Sequence, residues 1–162
     1  MAVPYCPSCG NKCDSVSGRD VYPHLDEFNN NQYWLCEPCD AYCGRTGNDA
    51  LGTPAMAPLR DLRRKIMQQL KILVDAKYEI VNRTPNHSKR VNKALARKDC
   101  MRWLKSQVTV PYGGIAYMDM DQATQTLAFV TPYANIVYAK KYPDSRIAEA
   151  MRQAKRDTSI SS

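Results

Sequence analysis

Residues 6–13 read Cys-Pro-Ser-Cys-Gly-Asn-Lys-Cys, and residues 36–43 read Cys-Glu-Pro-Cys-Asp-Ala-Tyr-Cys. Each segment contains a C-x2-C pair, whose spacing lets both thiolates reach one tetrahedral ion at about 2.3 Å. The chain turns beneath such a pair and directs backbone amides at the sulfur atoms, and Gly10 suits the positive φ that the turn often needs. The two pairs are far enough apart for the chain to return as a hairpin. They predict one structural zinc ion per chain, with Cys6, Cys9, Cys36 and Cys39 as its ligands.

The other cysteines leave an alternative open. Six of the seven cysteines precede residue 44, and six thiols could instead hold an iron–sulfur cluster. A tetrahedral ion needs four ligands, so Cys13 and Cys43 are expected to be small buried residues outside the metal site. His24 is expected to be a hydrogen-bonded structural residue and not a substitute ligand.

The composition is typical of a soluble globular protein. Apolar residues make up 44% of the 162 residues, and the mean hydropathy is −0.52. No apolar run approaches the roughly 20 residues that cross a bilayer, so no membrane partner is expected. The first residues lack the basic and apolar segments of a signal peptide, and free thiols suit a reducing compartment. A cytoplasmic location is therefore predicted.

The positive charge is concentrated in the middle of the chain. The net charge is +7, to which residues 1–58 contribute −4, residues 59–105 contribute +10 and residues 106–162 contribute +1. A polyanion or an acidic protein surface is the expected partner of the middle segment.

The pattern of apolar and turn residues predicts an α+β chain in four segments. Residues 1–44 are expected to form a zinc ribbon of small β-hairpins, and residues 45–58, with their glycines and prolines, an irregular connector. Residues 59–131 are predicted to form a basic helical domain. Residues 132–162 would add a C-terminal helix and a frayed tail. The helical part then comprises three to four helices.

Helical spacing is clearest in the first part of the basic segment. One apolar stripe predicts a helix that ends near Asn82, and its members are Leu59, Leu62, Ile66, Leu70, Leu73 and Ile80. Arg60, Arg63 and Arg64 lie off this stripe and are expected to face water or a ligand.

The later helices are predicted from capping and breaking residues. Thr84 and Pro85 can cap and open a second helix, which runs to about Gln107. Its expected buried residues are Val91, Leu95, Cys100, Trp103 and Leu104. Asp119 or Asp121 caps a third helix that Pro132 interrupts, and a last helix is predicted over 144–156.

Several short motifs accompany the cysteine pairs. They are Cys6-Pro7-Ser8-Cys9-Gly10, Tyr22-Pro23-His24, the segment from Trp34 to Tyr42, Leu51-Gly52-Thr53, Arg102-Trp103-Leu104 and the segment from Ile115 to Asp119. With these motifs, residues 5–131 resemble a family of small phage and prophage proteins described as a zinc-finger-containing domain of unknown function. The resemblance implies that the four paired cysteines are the zinc ligands. It also implies a phage origin, and then a location in the host cytoplasm.

The resemblance carries no established activity, and the chain departs from the family in two places. Gly114-Ile115-Ala116 stands where the family has a His-Ile-Gly turn, so chemistry that depends on that histidine is not carried over. Cys13 and Cys43 fall where the family has other residues, which agrees with their place outside the metal site.

An enzyme is not expected, because the sequence assembles no base, nucleophile or open metal position. His24 and His87 lack the neighbours of a hydrolytic metal motif, and four thiolates fill the coordination sphere of a zinc ion. Asp26-Glu27 and Asp119 with Asp121 could hold a hard cation, but a solvated loop and a helix cap are favoured for them. No small-molecule substrate is expected.

Nucleic-acid binding is the favoured function, and it depends on the basic segment. The residues predicted to contact DNA or RNA are Arg60, Arg63, Arg64, Lys71, Lys89, Arg90, Lys93 and Arg97, and the basic faces continue through Lys98, Arg102 and Lys105. A solvated helix face is the ordinary alternative, but such a face usually mixes both signs and acids are scarce here. No reading-helix motif predicts sequence specificity.

A protein-binding module is the other function that the sequence leaves open. It would dock on a host polymerase, nuclease or repair complex through the acidic ribbon and its aromatic residues Tyr33, Trp34 and Tyr42. Each of these aromatic residues could equally fill the small core of the ribbon.

Overall fold

The computed structural model describes residues 3–83 and 88–160. In these ranges a small antiparallel sheet comes first, with its strands in the order β1 (Asp14–Ser17), β2 (Gln32–Cys36), β3 (Ala41–Thr46) and β4 (Asp49–Ala50). The helices are α1 (Gly18–Val21), α2 (Ala57–Val81), α3 (Lys89–Gln107), α4 (Met120–Lys141) and α5 (Arg146–Ile160). The predicted α+β class, with short hairpins followed by helices, is confirmed.

The chain divides into two compact units. Unit 1 comprises Met1–Arg64 and Val110–Ala123, and unit 2 comprises Lys65–Thr109 and Thr124–Ser162, so their bounds differ from the four predicted segments. Unit 1 contains six Lys and Arg against ten Asp and Glu, a net charge of −4. Unit 2 contains seventeen against six, a net charge of +11. The excess positive charge of the chain therefore belongs to unit 2.

The core of unit 1 lies on one face of the sheet. Trp34 pairs with Cys43 and Cys36 pairs with Ala41 across β2 and β3, and the period of two along each strand places these side chains on the same face. The buried cluster consists of Cys6, Cys13, Trp34, Cys36, Ala41 and Cys43. A core of this size is small for independent stability, and a metal ion is one of the means by which small units are stabilised.

The predicted connector is part of unit 1 and is more regular than expected. It contains β4, and the amide of Ala55 donates to the Tyr42 carbonyl at 3.1 Å while Tyr42 donates back at the same distance. The amide of Thr53 donates to the Ala116 carbonyl at 3.0 Å. A Cβ atom on Gly52 would lie 2.6 Å from that same oxygen, so this close approach requires glycine.

The core of unit 2 comes from α2, α3 and α4. Its buried apolar residues include Ile66, Leu70, Val74, Ala96, Leu104, Val130 and Ala134. The predicted stripe on α2 is confirmed at Ile66 and Leu70, whereas Ile80 is 56% exposed. None of the helices within the described ranges combines the length and the apolar character needed to cross a membrane.

The inner face of α3 agrees with the prediction at Leu104, which is fully buried, and differs from it in the first half of the helix. Val91 and Leu95 are 43% and 40% exposed, and Asn92 and Ala96 are buried in their place. Asn92 tolerates burial because its Nδ2 donates to Asn82 Oδ1 at 3.2 Å. α3 begins at Lys89 with Ser88 as its N-cap, while Thr84 and Pro85, the predicted start, lie outside the described residues.

Pro132 does not interrupt the helix that contains it, so that prediction is wrong. α4 continues past it to Lys141. Val130 and Ala134, which flank the proline, are fully buried, and their burial offsets the roughly 3 kcal/mol that an interior proline costs a helix. α5 likewise continues to Ile160, into the predicted frayed tail.

Candidate metal centre

Each C-x2-C pair lies in a tight turn next to the sheet. The first pair occupies a small hairpin closed by the bridge between Tyr5 and Lys12, and the second forms the turn from β2 to β3. A residue with left-handed backbone follows each pair, Gly10 with φ of 76° and Asp40 with φ of 50°. The glycine was predicted and the aspartate was not. Asp40 follows Cys39 as Gly10 follows Cys9, and this equivalent position could have indicated its left-handed backbone. Aspartate is among the residues that tolerate this conformation.

The two turns bring four thiol groups together. The Sγ atoms of Cys6, Cys9, Cys36 and Cys39 all lie within 4.8 Å of one another, and these are the predicted ligands. The Sγ atoms of Cys9 and Cys36 are 3.5 Å apart, and all four cysteines are free thiols. A tetrahedral site with metal–sulfur bonds of about 2.3 Å has sulfur–sulfur edges of about 3.8 Å. The cluster therefore fits a single metal ion with four thiolate ligands.

Backbone amides reach the first cysteine of each pair. Burial raises the pKa of the Cys6 thiol, but hydrogen bonds from the amides of Cys9 and Ser8 outweigh it and bring the pKa down to about 7. In the second turn the amide of Cys39 donates to the Cys36 sulfur, which lowers the pKa of the Cys36 thiol. Burial and the neighbouring thiols outweigh this hydrogen bond, so the pKa of Cys36 is raised. Amide hydrogen bonds of this kind orient and stabilise the thiolate ligands of a metal.

Cys13 and Cys43 lie outside the cluster. They are 3% and 8% exposed and belong to the core on the sheet face, beside Trp34. Burial raises the pKa of each thiol to about 11, with neighbouring cysteine thiols adding to the rise. The expectation that they are small buried residues is confirmed.

The other candidate ligands of the sequence have different surroundings. His24 is exposed, and His87 lies outside the described residues. The amide of Gln122 donates to Asp119 Oδ1 at 2.8 Å and Gln122 Oε1 accepts from the Asp119 amide at 3.0 Å, so Asp119 is the cap of α4. In residues 3–83 and 88–160, the four cysteines are the only group of three or more His, Cys, Asp or Glu side chains close enough to share an ion.

The aromatic residues of the ribbon pack against one another. Trp34 is 6% exposed, and the rings of Tyr33 and Tyr42 each lie 5.7 Å from the ring of Tyr22. Tyr42 Oη donates to Tyr22 Oη at 2.9 Å. Trp34 therefore belongs to the core of unit 1, whereas Tyr33 and Tyr42 are half-buried and pack with Tyr22.

Arg60 contacts the second cysteine turn. Its Nη1 donates to the Asp40 carbonyl at 2.7 Å and to the Ala55 carbonyl at 2.6 Å, and its guanidinium lies 3.7 Å from the centre of the Tyr42 ring. Arg60 therefore stabilises unit 1, and the prediction that it faces water or a ligand is wrong.

Arg63 donates more hydrogen bonds within unit 1 than Arg60 does. Nε and Nη2 donate to the Met118 carbonyl at 3.1 Å and 2.6 Å. Nη1 donates to the Thr53 carbonyl at 2.9 Å, and Nη2 to Thr53 Oγ1 at 2.6 Å. The first turns of α2 belong to unit 1, so Arg63, which was predicted to face water or phosphate, contacts these segments instead.

The remaining predicted contacts fall into two groups. On α2, Arg64 is exposed and paired with Asp61, and Lys71 is exposed with its Nζ 2.6 Å from Asp75. On α3, the exposed residues are Lys89, Arg90, Lys93 and Arg97, and the structure gives them no ion pair within the described residues. The structure thus divides the predicted set into structural, paired and unpaired cations.

No protein-family model, curated protein or solved structure matches this chain. The resemblance to the phage family and the phage origin stay predictions from the motifs.

Proposed function

We propose that this chain is a non-enzymatic, zinc-binding accessory protein that binds DNA or RNA through the exposed face of α3. The observation that carries the proposal is the charge of this helix, which contains seven Lys and Arg against a single acid, Asp99. The cations are Lys89, Arg90, Lys93, Arg97, Lys98, Arg102 and Lys105.

Most cations of α3 also lack an acidic partner within the described part of the chain. Arg102 lies 3.4 Å from Asp99, and the other six form no ion pair within residues 3–83 and 88–160. Arg64 and Lys71 on α2 both have a carboxylate nearby. Solvated helices ordinarily mix the two signs at neighbouring positions. Six unpaired cations on one helix instead support binding to phosphates, which yields affinity through the release of counterions.

The proposed nucleic-acid-binding surface contains fewer residues than the surface predicted from the sequence. Arg60 and Arg63 are excluded from it because their donors are bonded inside unit 1. The proposal therefore concerns unit 2, whose net charge is +11.

The zinc assignment rests on the chemistry of the donor set. Four thiolates favour Zn²⁺ or an iron–sulfur centre over harder metals, and a zinc site with four cysteine ligands has no open position for water or substrate. This full coordination supports a structural ion and a non-enzymatic role.

Elemental analysis of the purified chain is expected to find one zinc per chain. Cys36→Ser should lose the ion, whereas Cys43→Ser, which changes a buried cysteine outside the cluster, should retain it. Iron with visible absorbance would contradict the assignment.

Nucleic-acid binding is tested by a salt titration with matched charge variants. The affinity of the parent for labelled DNA and RNA should fall linearly with salt on logarithmic axes. The variant Lys93→Gln/Arg97→Gln should bind unrelated sequences more weakly by similar factors, and its salt slope should drop by about 0.9 per lost contact on B-DNA.

The control variant is Arg152→Gln/Arg156→Gln on α5. It removes the same charge at the same helical spacing, but both arginines pair with Glu149, at 2.6 Å and 3.2 Å. It should keep the slope of the parent. Equal effects of the two variants would mean that only net charge matters. The absence of binding to DNA and RNA alike would overturn the proposal and favour a protein partner.

A further inference from the structure

Unit 2 contains an apolar groove between α2, α3 and α4. Its volume is about 480 Å³, within the range of roughly 300–1,000 Å³ of small-molecule sites. The main wall residues are Leu73, Ile80, Trp103, Tyr133, Ile136 and Val137. The groove is open to solvent, since Ile80, Tyr133 and Ile136 are 56%, 45% and 43% exposed.

An aromatic cluster forms one side of the groove. The ring centroids of Trp103 and Tyr133 are 5.1 Å apart with their planes at 82°, and Phe129 lies 5.4 Å and 5.3 Å from them. Edge-to-face contacts of this kind fix the orientation of the rings. Tyr133 therefore presents a partly exposed ring whose position is set by its neighbours.

The charges at the groove favour an anionic ligand. Lys77 is part of the wall, and Asp99, the one acid in the wall, lies beside Arg102. The helix that supplies Trp103 also carries the six cations without ion pairs. An aliphatic wall alone would suit an apolar peptide. An exposed aromatic ring on a unit that also carries many unpaired cations is the combination found in proteins that bind single-stranded nucleic acid.

We infer that this groove accepts an unpaired nucleobase, and that the nucleic acid bound by α3 is single-stranded. This inference rests on the proposed function. The bases of a duplex are paired and stacked inside it, whereas a single strand can insert a base beside Tyr133 while α3 binds neighbouring phosphates. Stacking has little sequence preference because every base has a π face.

The first test compares a labelled oligothymidylate with a blunt duplex of the same length at one salt concentration. The parent should bind the single strand more tightly. Tyr133→Leu, which keeps an apolar side chain but removes the ring, should weaken single-strand binding about fivefold or more and leave duplex binding unchanged. Tyr142→Leu is the control, because Tyr142 is also in unit 2 and is 48% exposed but is not part of the wall of this groove. It should bind like the parent.

The second test needs no variant. An oligothymidylate with one 5-iodouracil is crosslinked to the parent by light, and the attached peptide is identified by mass spectrometry. A crosslink at Tyr133 or Trp103 is expected. Crosslinks confined to the lysines of α3, or identical affinities of the Tyr133 and Tyr142 variants, would overturn the inference while leaving the proposed function in place. If neither strand nor duplex shows salt-dependent binding, the proposed function fails and the inference fails with it.

Discussion

At the scale of single residues, the arginines at the start of α2 have a structural role. Arg63 donates hydrogen bonds to two backbone carbonyls and a hydroxyl, and it thereby joins the segments that carry Thr53 and Met118. Arg64, the next residue, is exposed and contacts Asp61 one turn away. These two adjacent arginines thus differ in the number of hydrogen bonds that they donate to the rest of the protein.

Arg63→Gln should therefore destabilise the protein. Hydrogen bonds from a charged donor contribute about 1.5–3 kcal/mol, and the shortened side chain leaves partly buried carbonyls without a donor. We expect the free energy of unfolding, measured by urea denaturation of the metal-loaded protein, to fall by about 2 kcal/mol. Arg64→Gln is the control and should stay within about 0.5 kcal/mol of the parent. Equal losses in the two variants would contradict the role assigned to Arg63.

At the scale of elements, the start of α4 is defined by a reciprocal capping pair. Asp119 and Gln122 each accept a hydrogen bond from the backbone amide of the other, at 2.8 Å and 3.0 Å. Asp121 lies in the first turn, where a carboxylate gains only from the helix dipole. The cap and the burial on both sides of Pro132 act on the same helix, and they explain why it forms and continues despite the proline.

Replacement of Asp119 by alanine should cost more than replacement of Asp121. Loss of an N-cap side chain destabilises a protein by about 1 kcal/mol, whereas loss of a dipole contact at an exposed site costs a few tenths. Thermal unfolding followed by circular dichroism, with the metal content held equal, measures the loss of stability in each variant. A larger loss for Asp121→Ala would show that the Asp119–Gln122 pair is not the functional cap.

At the scale of the whole molecule, the cysteine cluster and the cations of α3 belong to different units. All four clustered cysteines lie in unit 1, whereas the core residues Ile66, Leu104 and Val130 lie in unit 2. A structural zinc ion held by these cysteines would stabilise the small core of unit 1, since apparent binding energies of about 10–16 kcal/mol for such ions are also folding energies. The core of unit 2 contains none of the ligands.

Removal of the metal should therefore affect the two units unequally. After treatment with a chelator, hydrogen exchange measured by mass spectrometry is expected to accelerate in peptides of β2 and β3. Peptides that cover the buried parts of α2 and α4 in unit 2 should keep most of their protection. The control is the same protein reloaded with zinc, which should recover the original pattern. Loss of protection to the same extent throughout would show that the units unfold together.

The features that short-range spacing specifies were predictable without a structure. The two C-x2-C pairs identified the metal cluster because the geometry of each pair is local, and the apolar period of α2 identified Ile66 and Leu70 because a helix repeats regularly. The excess of cations in the middle of the chain was likewise a matter of counting.

The remaining features depended on contacts between residues far apart in the chain. Arg63 became structural because carbonyls of Thr53 and Met118 surround it, and α3 buries Asn92 because Asn82 offers it a hydrogen bond. Pro132 stays inside a helix because Val130 and Ala134, two positions before and after it, are buried. At these positions a gain from burial or from a satisfied hydrogen bond outweighs the preference of the residue type for solvent or for a helix end. That gain exists only once the distant partners have been brought together by folding.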